Sequence, residues 1–96
     1  MIKIVVTAVA PISAALGTRK LETELPDGSD ILGLLKALSD QHGDTFRGLM
    51  FDESGEYKAG HNIILHNGRS ILAFDGVYGR LHDGDEVVLM PMTAGG

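Results

Sequence analysis

The chain contains no cysteine, which excludes disulfides, thiolate metal sites and a cysteine nucleophile. It is also poor in basic residues, with eight Lys and Arg against thirteen Asp and Glu and a formal net charge of −5. The longest basic run is Arg19-Lys20. Nucleic-acid binding takes most of its affinity from phosphates neutralised by a basic face, so no nucleic-acid partner is expected. An acidic surface suits a protein partner with a basic docking face. No apolar run approaches the roughly 20 residues needed to span a bilayer, so no membrane partner is expected. Met1-Ile2-Lys3-Ile4 leads straight into a strand pattern. The charged start, apolar middle and small-residue cleavage site of a secretory signal are not seen, and the expected location is cytoplasmic.

What is present suffices for one domain. The chain has 96 residues, of which 44% are apolar. That allows one compact core and leaves little material for a deep active site, which favours a binding module or subunit. Ile2, Ile4, Val6 and Ala8 alternate with Lys3, Val5 and Thr7, predicting a strand over 2–9 that Pro11 ends. Leu21, Thr23 and Leu25 alternate with Lys20, Glu22 and Glu24, predicting an antiparallel second strand over 18–25. Pro26-Asp27-Gly28 marks a turn, and Ser29 or Asp30 then caps a helix with Ile31, Leu34, Leu35 and Leu38 on one face. Gly33 in that helix suggests a close approach to the sheet, and Gly43 a helix end. Residues 44–60 read as irregular, with Phe46, Leu49, Met50 and Phe51 packed beneath and an exposed turn at 52–56. A strand over 63–66, the hairpin signal Asn67-Gly68 and a continuation over 69–72 follow. Residues 74–78 connect to the tight turn Asp83-Gly84-Asp85 and a last strand over 86–90, with Val87 and Leu89 inward and Pro91 as its stop.

Leu81-His82-Asp83-Gly84-Asp85-Glu86-Val87-Val88-Leu89-Met90-Pro91 is followed by Met92-Thr93-Ala94-Gly95-Gly96. This stretch resembles the C-terminal signature of the molybdopterin synthase small-subunit family, the MoaD/ThiS type of ubiquitin-like sulfur carrier. There a hydrophobic residue and an Asp-Gly-Asp turn lead into an apolar strand, a proline and a terminal Gly-Gly. The thiamine-pathway carrier and the ubiquitin-like modifiers of archaea are kin. The β-branched start, the helix after Pro26-Asp27-Gly28 and the Asn67-Gly68 hairpin extend the resemblance, but are generic for the fold. Two departures stand out: Met92 replaces a second proline found in many members, and residues 44–61 lengthen the chain beyond the most compact ones.

The resemblance implies an α+β fold of the ubiquitin-like β-grasp type, with a mixed sheet and one main helix across one face. The domain would span 1–91, with a flexible tail over 92–96. The resemblance further implies that an adenylating, ubiquitin-activating-type partner uses ATP to activate the carboxylate of Gly96. A sulfur donor then converts it to a thiocarboxylate. The sulfur would pass to an acceptor in a second partner, the large subunit of molybdopterin synthase or another sulfur-acceptor enzyme. On this reading the chain is a carrier and not an enzyme, and binds no cofactor itself. Gly95 and Gly96 lack a Cβ and Thr93 and Ala94 are small, which suits entry into a narrow channel.

Val88 and Met90 alternate with the core positions of the last strand and point outward. If that strand lies beside the first, Val5 joins them, and Pro91, Met92, Thr93 and Ala94 continue the same partner-binding surface. Ordinary surface residues are the bland alternative. His42, His61, His66 and His82 have no metal-ligand spacing, and Asp83-Gly84-Asp85 lacks the other ligands of a calcium loop. Ser13, Ser29 and Ser70 have no nucleophile motif around them. Three other roles remain open: sulfur delivery to thiamine or cysteine, a protein modifier conjugated through Gly96, or a passive β-grasp module with an idle tail.

Overall fold

The computed structural model describes residues 1–92. The tail residues Thr93, Ala94, Gly95 and Gly96 lie outside them. Strand β1 (Ile2–Ala8) buries Ile2, Ile4, Val6 and Ala8, the set its alternation predicts. It pairs antiparallel with β2 (Lys20–Leu25), with Ile2 opposite Leu25 and Thr7 opposite Lys20. Helix α1 (Ile12–Leu16) fills the connection between them. Sequence reading placed only a strand stop at Pro11. A five-residue helix has one buried i,i+4 pair, Ile12 and Leu16, which is too little to show a period.

Helix α2 (Ile31–His42) begins where expected because Asp30 caps it: the Gly33 N–H donates to Asp30 Oδ1 at 2.8 Å. Ser29 instead donates its hydroxyl to the Pro26 carbonyl at 2.7 Å, closing the preceding turn. Gly33 does not face the sheet. A Cβ there would sit 3.4 Å from Asp30 Oδ1 and 3.8 Å from Ser29 Cβ, so its neighbour is the cap. Gly43 ends α2 at φ 96°, a backbone angle that disfavours a side chain, and α3 (Asp44–Met50) follows at once. That helix corrects the irregular reading of 44–60. Its inward residues Phe46 and Met50 are again a lone i,i+4 pair, and no side chain caps its start. Arg47 bridges Asp44 and Asp40 across the two helices, at 2.6 and 3.0 Å.

Strand β3 (Asn62–His66) turns through Asn67 and Gly68, both at positive φ, into β4 (Arg69–Ser70). The expected continuation to 72 stops short. The Ser70 hydroxyl accepts from the Leu72 N–H at 3.2 Å and bends the chain into a 3-10 turn over Ile71–Ala73, with another over Gly76–Tyr78. Strand β5 (Glu86–Pro91) then enters the middle of the sheet, whose order is β2-β1-β5-β3-β4. It runs parallel to β1 and antiparallel to β3. This is the expected mixed sheet. Ile31, Leu34, Leu35 and Leu38 of α2 share one core with Ile4, Val6, Val87 and Leu89 of the sheet. Each fully buried aliphatic side chain of this kind contributes about 1.5–3 kcal/mol.

Pro91 does not stop β5. It pairs with Asn62, and the next N–H, of Met92, donates to the His61 carbonyl at 2.9 Å. The register explains the tolerance: the nitrogen of Pro91 faces the β1 side, where the first strand has ended at Ala8.

Replacing the cap, Asp30→Ala, is expected to destabilise the chain by about 1 kcal/mol, lowering the urea midpoint at unchanged m. Ser29→Ala, which removes no helix cap, should cost less. Equal losses would show that the capping assignment is wrong.

Candidate functional site

The helices cover one face of the sheet and leave the other open. Along β5, Val87 and Leu89 go inward, so Val88 and Met90 go outward, and both are half-buried. Pairing decides their neighbours. Thr7 lies beside Val88 on one side and Leu65 on the other, while Ile63 lies beside Met90. Val5 lies beside Glu86, one step down β1. Val5, Val88 and Met90 therefore come together on the open face as the sequence suggested. Ile63 and Leu65 join them, and sequence reading missed both. Their strand was legible, but nothing in it tells which strand borders β5. On the far side of β1 the same face turns charged, with Lys20 opposite Thr7 and Glu22 opposite Val5. The apolar strip is thus bounded.

Met92 continues that strip, 42% exposed, its N–H held by the His61 carbonyl, whereas Pro91 falls in step with Val87 and Leu89, lies beside the buried Asn62, and so turns to the helix-covered face and not to the strip expected for it. The remaining predicted residues, Thr93, Ala94, Gly95 and Gly96, lie outside the described residues.

The start of β5 is fixed by a polar knot. Asp85 Oδ2 accepts from His66 Nε2 at 2.7 Å and from the His82 N–H at 2.8 Å. The first contact requires the proton on Nε2. Asp85 Oδ1 accepts from Asn67 Nδ2 at 3.0 Å, and Asn67 Oδ1 accepts from the Glu86 N–H at 2.8 Å. Asp83 Oδ1 takes the Lys3 N–H at 2.7 Å. The Asp83-Gly84-Asp85 carboxylates are thus spent on turn donors. Burial pushes the Asp85 carboxyl up, but the donors from Asn67, His66 and His82 outweigh it and hold the group below the usual carboxylate range. Among the described residues no three His, Asp or Glu gather as a metal site. No helix among them is long and apolar enough to cross a membrane.

An apolar strip of this kind on an uncovered sheet face is a surface able to seat a partner. A model of the ThiS family matches residues 6–96, through both terminal glycines. The chain belongs to the ThiS family. It is thereby a ubiquitin-like protein of the sulfur-carrier and modifier type. Small archaeal modifier protein 3 of Haloferax volcanii is 31% identical over 87 residues, 91% of each chain. Small archaeal modifier protein 1 of Methanosarcina acetivorans superposes with TM-score 0.83 at 29% identity, covering 100% of this chain and 98% of its own. A Pyrococcus furiosus protein described as molybdopterin converting factor, subunit 1, does so with TM-score 0.74 at 26% identity, covering 97% and 100%. These relatives and the sheet order together make the fold the β-grasp that the resemblance implied.

In this ThiS-family chain the Asp85 knot aligns β5, and with it the apolar strip. A carboxyl whose pKa is lowered on folding adds stability above its unfolded value, about pH 4, and loses it as pH falls through the lowered folded value. Asp85→Asn should therefore cost about 2 kcal/mol near pH 7. The gap to the parent should narrow below about pH 4, measured by urea unfolding across pH. A gap independent of pH would mean the charge contributes nothing.

Proposed function

We propose that the chain carries sulfur as a thiocarboxylate on Gly96, and that the open face of the sheet seats the enzymes that load and unload it. One observation carries this reading. The strand that supplies Val88 and Met90 to the strip leads, through Pro91 and Met92, straight into Thr93-Ala94-Gly95-Gly96. Gly96 thus follows Met90 of the strip by only six residues in sequence. A carboxylate is a poor electrophile. Its oxygen attacks the α-phosphorus of ATP, pyrophosphate leaves, and an acyl adenylate forms. Hydrosulfide then adds to that carbonyl, a C–S bond forms, and AMP leaves with the C–O bond. Small residues before the carboxyl let the tail thread a narrow channel.

For the acceptor we propose a molybdopterin precursor held by a larger synthase subunit. The C-terminal motif and the Pyrococcus likeness support it. A second reading is favoured by the likeness to small archaeal modifier proteins: the same adenylate is attacked by lysine amines, and the chain becomes a conjugated modifier.

Incubating the chain with ATP, hydrosulfide and host extract should add about 16 Da at Gly96, one oxygen exchanged for sulfur, read by intact mass spectrometry. Deleting Gly96 should abolish the gain. Val88→Asp should slow it about tenfold with an unchanged circular dichroism spectrum, since a charge would be buried against the partner. Lysine conjugates without thiocarboxylate would favour the modifier reading, and neither product would sink both.

A further inference from the structure

The one Asn-Gly pair of the chain, Asn67-Gly68, sits inside the polar knot that fixes β5. Its turn holds both residues at positive φ, 51° and 85°. The Asn67 N–H donates to the Glu86 carbonyl at 2.8 Å, and the Glu86 N–H donates back to Asn67 Oδ1 at 2.8 Å. The side-chain carbonyl thus takes the place of a backbone carbonyl in the β3–β5 ladder. Nδ2 of the same carboxamide donates to Asp85 Oδ1 at 3.0 Å. The knot therefore uses the carboxamide as acceptor and donor at once, whereas an ionised carboxylate in its place could only accept.

The same pair is chemically labile. Gly68 has no Cβ to shield its amide nitrogen from the preceding side chain. That N–H has no protein acceptor among the described residues, and both Asn67 and Gly68 are exposed to water. The other asparagine of the chain is built differently. Asn62 precedes the branched Ile63, is 9% exposed, and its Nδ2 donates to the Leu49 carbonyl at 3.0 Å.

We propose that Asn67 is a self-modification site gated by the knot. Bound at both ends to β5, the carboxamide must leave Glu86 and Asp85 before its carbon can meet the Gly68 nitrogen. In the opened knot that nitrogen attacks Cγ of Asn67, a C–N bond forms, and the Cγ–Nδ2 bond breaks. Ammonia leaves, carrying the Gly68 amide proton. Water then opens the cyclic imide at one carbonyl or the other and yields aspartate or isoaspartate. Neither product restores the knot. Aspartate has no donor for Asp85 and sets a second carboxylate against it. Isoaspartate lengthens the backbone by one methylene inside a two-residue turn, which shifts the strands it joins. The reaction is thus one-way: an opening that ends in hydrolysis leaves the start of β5 without its anchor. The proposal does not rest on the sulfur-carrier reading, and its test involves neither terminal glycine nor ATP.

The full-length chain is aged at mildly alkaline pH and read by peptide mapping, where conversion adds about 1 Da at Asn67. Unfolded in urea, the chain should convert at least about tenfold faster than when folded. Asp85→Ala, which cuts the knot, should speed the folded chain several-fold. Asp30→Ala weakens the α2 cap and leaves the knot intact, so it should not change the rate, whereas a route through global unfolding would raise it about fivefold. Should Asp85→Ala fail to fold by circular dichroism, the parent set against Asp30→Ala and the unfolded chain decides. Asn67→Asp, which makes one product directly, should speed hydrogen exchange of the Glu86 amide about tenfold. Equal rates in the folded and unfolded chain would overturn the proposal, as would no conversion at Asn67 even when unfolded. So would acceleration by Asp30→Ala, a folded Asp85→Ala no faster than the parent, or a Glu86 amide undisturbed in Asn67→Asp.

Discussion

Strand β5 follows the other four strands in sequence, yet it lies in the middle of the sheet, hydrogen-bonded to β1 on one side and β3 on the other. The rest of the structure depends on that insertion. Without β5 the sheet separates into two hairpins, and an isolated two-stranded hairpin is marginal in water. Its inward residues Val87 and Leu89 complete the core beneath α2, and its outward residues Val88 and Met90 make the centre of the open face. One alternation therefore builds both the core and the apolar strip. A one-residue slip in register would exchange the two sets and destroy both.

That makes the Asp85 knot more than a turn. Its carboxylate gathers donors from the β3–β4 hairpin and from the turn before β5, so two segments distant in sequence are locked as the strand begins. Asp83 adds a bond to β1. At the far end the Met92 N–H still bonds the His61 carbonyl, so β5 is held to β3 along its whole length.

Much of this was legible in the residues. Period-two alternation placed the inward faces of β1 and β5, Asp30 and the 3.6-residue spacing placed α2, and Asn67-Gly68 placed the hairpin. Those signals are local, and each repeats several times. Helices α1 and α3 went unread because each buries only one i,i+4 pair, and Gly48 weakens α3 further. Pro91 was misread because a strand end is ordinarily where proline falls. Its position is harmless only because β1 is one step shorter on that side.

The residues alone determined which side chains β1 and β5 turn inward, where the main helix starts, and that the chemistry-bearing candidates follow the last strand. Those are consequences of backbone period and capping, which act within a few residues. Tertiary structure alone decided that β3 borders β5, which brings Ile63 and Leu65 to Met90 and Val88. It also decided that Asp85 meets His66 and Asn67. Strand order arises from contacts far apart in the chain, and no local pattern encodes it.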